Sequence, residues 1–89
     1  MRIISQDKMT DISYDVAVIY IHARDNRIYV LAHVPDEDFP IGTYNNNEDA
    51  IYVVSLIQKT FMCKHKYFYM PEAEEVSAIK KKLEKYEQG

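Results

Sequence analysis

Two runs rich in β-branched and aromatic residues, 14–24 and 27–34, flank the pair Asp25-Asn26. Asp and Asn tolerate the left-handed backbone that a two-residue hairpin turn needs, so the pattern predicts a β-hairpin with a type I′ turn. That register sets Arg24 opposite Arg27, His22 opposite Tyr29, Tyr20 opposite Leu31 and Ile19 opposite Ala32. Side chains alternate along a strand, so the hairpin sorts into two faces. Ala17, Ile19, Ile21, Ala23, Ile28, Val30, Ala32 and Val34 make one face, with no polar side chain, and this is the expected core. Tyr14, Val16, Val18, Tyr20, His22, Arg24, Arg27, Tyr29, Leu31 and His33 make the other.

Residues 1–6 alternate weakly and read as a short strand, ended by the turn-prone stretch 7–11. Pro35 stops the hairpin, the acidic stretch Asp36-Glu37-Asp38 reads as a loop, and residues 39–44 add a short, irregular strand around Pro40 and Gly42. Asn45-Asn46-Asn47 then opens a helix, with Glu48 and Asp49 at its positive end and Lys64, His65 and Lys66 closing the last turn. At 100° per residue, Ala50, Val53, Val54, Ile57 and Phe61 share one side, which predicts a helix lying across the apolar hairpin face. Tyr52, Leu56 and Cys63 form a shoulder beside that stripe, with Cys63 as a buried structural residue.

A fifth strand at residues 67–70 ends at Pro71, which starts a second helix with Glu72, Glu74 and Glu75 near its beginning and lysines towards its end. Val76, Ile79, Leu83 and Tyr86 follow a 3-4-3 spacing, a narrow seam that fits either the first helix or another protomer. The expected fold is therefore α+β: an antiparallel sheet of four to five strands in the order β-β-β-(β)-α-β-α, one helix across a sheet face and an amphipathic C-terminal helix, in a single domain.

Composition narrows the function classes. The chain has 89 residues, 47% hydrophobic and 28% charged, with a formal charge of -3, which gives no electrostatic footprint for nucleic acid. One cysteine excludes an internal disulfide, no apolar run reaches the roughly 20 residues that span a bilayer, and the first residues are too polar for a signal peptide. These features place the protein in a cytosol. No Gly-rich phosphate loop, HExxH, CxxC or GxSxG occurs, so no catalytic residue, cofactor or metal site is expected. His22 and His33 share a face but lie too many pairs apart to hold one ion.

The polar hairpin face carries the candidate chemistry. Arg24 and Arg27 are like charges in direct opposition, a pair that an anion or a carboxylate would relieve. His22, Tyr29 and Tyr20 continue the face from basic to aromatic. Arginine forks suit phosphate or carboxylate, and tyrosine rings suit stacking or a protein contact. Eight tyrosines exceed what so small a core needs, which points to a partner or a homo-oligomer, a dimer first, with the Val76, Ile79, Leu83 and Tyr86 seam as its interface.

Met1-Arg2-Ile3-Ile4-Ser5-Gln6-Asp7, Ile41-Gly42-x-Tyr44, Glu48-x-Ala50-x-x-Val53-x-x-x-Ile57 and Phe68-x-Met70-Pro71-Glu72 together resemble a set of small proteins encoded in phages and prophages of Firmicutes. This chain departs from that set in having Lys8 for Gly and Asn46 for Ser or Thr. The resemblance implies a phage origin and the host bacterial cytosol as location, and supplies no activity. As a class, small phage accessory proteins antagonise host defences by occluding a protein effector or sequestering a nucleotide signal; the other class expectation is a virion or morphogenesis component.

Overall fold

A computed structural model describes residues 1–88, and side chains for residues 1–81. Asp25 and Asn26 take φ values of 51° and 64°, the double left-handed turn that the hairpin required. The ladder between Val18–Arg24 and Arg27–Val34 has the expected register throughout, Arg24 opposite Arg27 to Val18 opposite His33. The first of these strands begins later than expected, because Tyr14–Val16 is a single 3-10 turn. In chain order the elements are β1 (Arg2–Ile4), β2 (Asp11–Ser13), that turn, β3 (Val18–Arg24), β4 (Arg27–Val34), β5 (Glu37–Tyr44), α1 (Asn47–Met62), β6 (Tyr67–Tyr69) and α2 (Ala73–Gln88).

The class is α+β as expected, but the strands form two three-stranded sheets rather than one of four or five, in the orders β2-β1-β6 and β3-β4-β5. Two local features account for the difference. Residues 7–11, expected as a terminating turn, reverse the chain so that Asp11–Ser13 pairs antiparallel with β1. The acidic stretch is not a loop: Pro35 and Asp36 alone make the reversal, Asp36 at φ 74°, and Val34 faces Glu37. Proline followed by a left-handed residue is the type II turn pattern. β5 then runs beside β4 with a bulge that places Ile41 out of register, between Pro40 opposite Leu31 and Gly42 opposite Val30. A bulge is also where a strand tolerates proline.

The core joins both sheets to α1. Ile12, Ile3 and Phe68, aligned across β2, β1 and β6, share one cluster with Val30, Ala32, Ile41 and the helix residues Ala50, Val53 and Ile57. The expected hairpin core face holds at Val30 and Ala32, which are buried; Ile19, Ile21 and Ile28 are half-buried and Ala23 is exposed. Phe61 lies beyond the buried stripe and stacks on Tyr14, ring centroids 4.8 Å apart. Cys63 is exposed at the C-cap, not buried. α2 packs on α1 with Val76 fully buried in the chain's own core, while Ile79 is 37% exposed. The Leu83 and Tyr86 side chains lie outside the described residues.

Gln6 fastens one sheet to the other. Its backbone N–H donates to the Ile41 carbonyl at 2.9 Å. Its side-chain amide acts like another peptide unit towards β5: the Thr43 N–H donates to Oε1 at 2.8 Å, and Nε2 donates to the Thr43 carbonyl at 3.3 Å. Nε2 also donates to the Pro71 carbonyl at 2.8 Å, the same oxygen that accepts the Tyr44 hydroxyl at 2.8 Å. Burial pushes the Tyr44 phenol far above its ordinary value, so it remains a donor at any physiological pH. Gly42 sits beneath this junction.

Both ends of α1 are set by local chemistry. The Asp49 N–H donates to Asn46 Oδ1 at 2.8 Å, a side-chain N-cap. At the other end the Lys64 N–H reaches the Phe61 carbonyl and the His65 N–H the Thr60 carbonyl, a Schellman motif with Lys64 at φ 64°. Glycine adopts that conformation without the Cβ clash. Lys64→Gly is expected to stabilise the fold by about 0.5 kcal/mol, less than the strain relieved because glycine also loosens the unfolded chain; chemical denaturation measures it.

Asp49, almost wholly buried in the first turn of α1, is met by Lys80 Nζ at 3.0 Å. That carboxylate raises the Lys80 pKa above the ordinary lysine value. A raised folded-state pKa contributes stability below the unfolded value of about 10.4, and the contribution is lost as pH rises through the folded value. Unfolding followed from pH 8 to pH 11 should therefore show a steeper alkaline loss for the native chain than for Lys80→Met.

Candidate functional site

The helix covers one face of β3-β4-β5 and the described residues leave the other open. Across this outer face the register builds rows: Val18, His33 and Asp38; Tyr20, Leu31 and Pro40; His22, Tyr29 and Thr43; and finally Arg24 with Arg27 beside the turn. His22, Arg24, Asp25, Tyr29, Leu31 and Pro40 line a groove of about 310 Å³. Tyr29 and Pro40 also wall a second depression of about 250 Å³, which continues past Ile41 and Thr43 to Ser5, Gln6 and Asp7. The two make one trough running from the basic tip of the hairpin across the strands to the β1–β2 turn.

Of the five residues singled out on this face, the trough gathers His22, Arg24 and Tyr29. Arg27 opposes Arg24 in the ladder but does not line it. Arg24 has a carboxylate beside it, Nε lying 3.7 Å from Asp25 Oδ2 in a fully solvated pair, so the turn itself supplies relief for the opposed arginines. Tyr20 lies one row away, where desolvation and then the Asp38 carboxylate push its phenol above the ordinary value. Asp38 also takes a 2.7 Å contact from His33 Nδ1. At the far end, the Ser5 hydroxyl and the Met9 N–H hold the Asp7 carboxyl below its ordinary value, so that end of the trough is anionic.

Sequence reasoning placed Leu31 on this face without singling it out, and missed Pro40 and the acidic end of the trough. Pro40 reaches Leu31 only through the bulged register of β5, which no local pattern announces. A further cavity, about 510 Å³, lies elsewhere, between Met1 and the C-terminal end of α1, lined by Phe61, Met62, Lys64, His65 and Lys66. The negative helix end opposes the anion that its lysines would attract. Among the described residues no group of three or more His, Cys, Asp or Glu side chains could hold a metal, and no helix is long and apolar enough to cross a membrane. No protein-family model, curated protein or solved structure matches the chain.

Proposed function

We propose that the chain is a non-enzymatic binding protein whose partner is a protein surface, docked in the trough on the outer face of β3-β4-β5. The observation that carries this reading is the composition of that face: exposed Val18 and Pro40 and half-buried Leu31 among Tyr20, Tyr29, His22 and Arg24, with basic and acidic ends. Aromatic and arginine anchors around an apolar strip are what protein hot spots use. A nucleotide would need unpaired cations converging on its phosphates, and here one arginine shares a carboxylate while the other stands outside the groove. The resemblance to phage-encoded proteins makes a cytosolic host protein, such as a defence effector, the partner class, and occlusion its mode of action.

The test takes the protein recovered from host cytosol on the immobilised chain, purifies it and titrates it against native and altered forms. Tyr29→Ala and Arg24→Glu should each weaken the rebuilt complex at least tenfold, about 1.4 kcal/mol, with circular dichroism unchanged. Full affinity in both variants would remove the trough as the contact. A thermal shift produced by mono- or dinucleotides and lost in Arg24→Glu would instead favour nucleotide sequestration.

A further inference from the structure

We propose that the open edge of β3 is a dimerisation edge, on which the β3 strand of a second copy of this chain pairs antiparallel about a two-fold axis through Ile21. The two-residue loop closes on the Arg24–Arg27 pair, so alternate residues back along the strand (Arg24, His22, Tyr20, Val18) turn their backbone groups towards β4. Ile19, Ile21 and Ala23 therefore turn theirs outward, on the side where β3 has no neighbour.

No other edge is comparable. The C-terminal half of the outer edge of β5 is taken by Gln6, through the Ile41 carbonyl and both backbone groups of Thr43, and the remaining half holds Pro40, which has no N–H to offer. The edges of the other sheet are strands of three residues. β3 has seven, Val-Ile-Tyr-Ile-His-Ala-Arg, with no proline, lysine or bulge and a single charge, Arg24, at its very end, so it carries little of what keeps an edge from pairing.

A second copy fits this edge because the strand is compatible with itself. With Ile21 on the axis all seven residues overlap. Arg24, the one charged residue, meets the partner's Val18, so no two charges face each other. Tyr20 meets the partner's His22 on the outer face, beside the mouth of the trough. On the inner face the half-buried Ile19 and Ile21 meet the partner's Ala23 and Ile21, and the core continues across the axis with both α1 helices on one side. The pairing also closes. Once β3 is used, neither copy keeps a long free edge, so the product is a dimer and not a fibre.

This inference is independent of the trough's partner, and the full chain alone tests it. Sedimentation across a dilution series should give twice the monomer mass, falling to monomer on dilution. Ile21→Pro removes an outward N–H and no hydrogen bond of the chain's own, so it should halve the mass with the circular dichroism spectrum retained. A cross-link checks the register where that variant fails to fold. With Cys63→Ser as background, mixed Tyr20→Cys and His22→Cys chains should form an intermolecular disulfide on mild oxidation that neither forms alone. A native chain that stays monomeric up to about 1 mM, a folded Ile21→Pro that remains dimeric, or a mixture that fails to cross-link would each overturn the proposal.

Discussion

Gln6→Ala should lower the unfolding free energy by about 1–3 kcal/mol, since it strips partners from part-buried backbone groups at the joint between the sheets. The Thr43 N–H loses its acceptor, and the Pro71 carbonyl keeps only the Tyr44 hydroxyl. At about 4–8 °C per kcal/mol for a domain of this size, the melting temperature should fall by at least about 4 °C. Gln6→Glu separates the bonding from the loss of volume. Its carboxylate keeps the acceptor for the Thr43 N–H but cannot donate, so at neutral pH it faces the Thr43 and Pro71 carbonyls unpaired. Protonation restores a donor, so Gln6→Glu, unlike Gln6→Ala, should recover stability relative to the native chain as pH falls through the carboxyl range. Equal melting temperatures for all three proteins would mean that the two sheets are held together without this amide.

The second large effect is steric and lies one layer below. A Cβ on Gly42 would stand 2.9 Å from the Tyr44 ring and 3.0 Å from both the Tyr44 hydroxyl and the Met70 terminal methyl. The methyl can swing away. The ring cannot, because its hydroxyl is bound to the Pro71 carbonyl and its body is buried. Gly42→Ala should therefore cost about 1–3 kcal/mol, the range for overpacking a fitted core. Since both substitutions disturb one tyrosine and one carbonyl, Gly42→Ala and Gln6→Ala together should cost less than the sum of the two, which a double-mutant cycle in urea measures.

The hairpin was legible in the sequence because everything that defines it is local: a turn pair able to take positive φ, and alternation on both sides of it. The same holds for the Asn46 cap and most of the α1 stripe. What could not be read are pairings between distant segments. A three-residue strand such as β1 has no periodicity long enough to reveal that it lies between β2 and β6, nor that one neighbour runs parallel. Pro35-Asp36 was hidden by the acids around it, which resemble a solvated loop until Asp36 is seen to be left-handed. For the candidate site, the ladder already placed His22, Arg24 and Tyr29 on one face; the rest waited on the third strand. Gln6, Gly42, Tyr44, Met70 and Pro71 meet at the joint between the sheets, contacts between distant segments that no local pattern announces.

That joint also orders the events of folding. β3, β4 and β5 are linked by two tight turns and can zip together through contacts a few residues apart, whereas Gln6 and Pro71 are separated by 65 positions. Closing so long a loop precedes any reward from the bonds it permits, so β1 and β6 should dock last, after the rate-limiting step. In stopped-flow experiments, substitutions at Ile3 or Phe68 should speed unfolding and leave the refolding arm nearly flat, while Val30 should act on refolding. Until that late step the apolar row of Ile12, Ile3 and Phe68 stays wet, giving the chain an interval of stickiness at the end of its assembly rather than at the beginning.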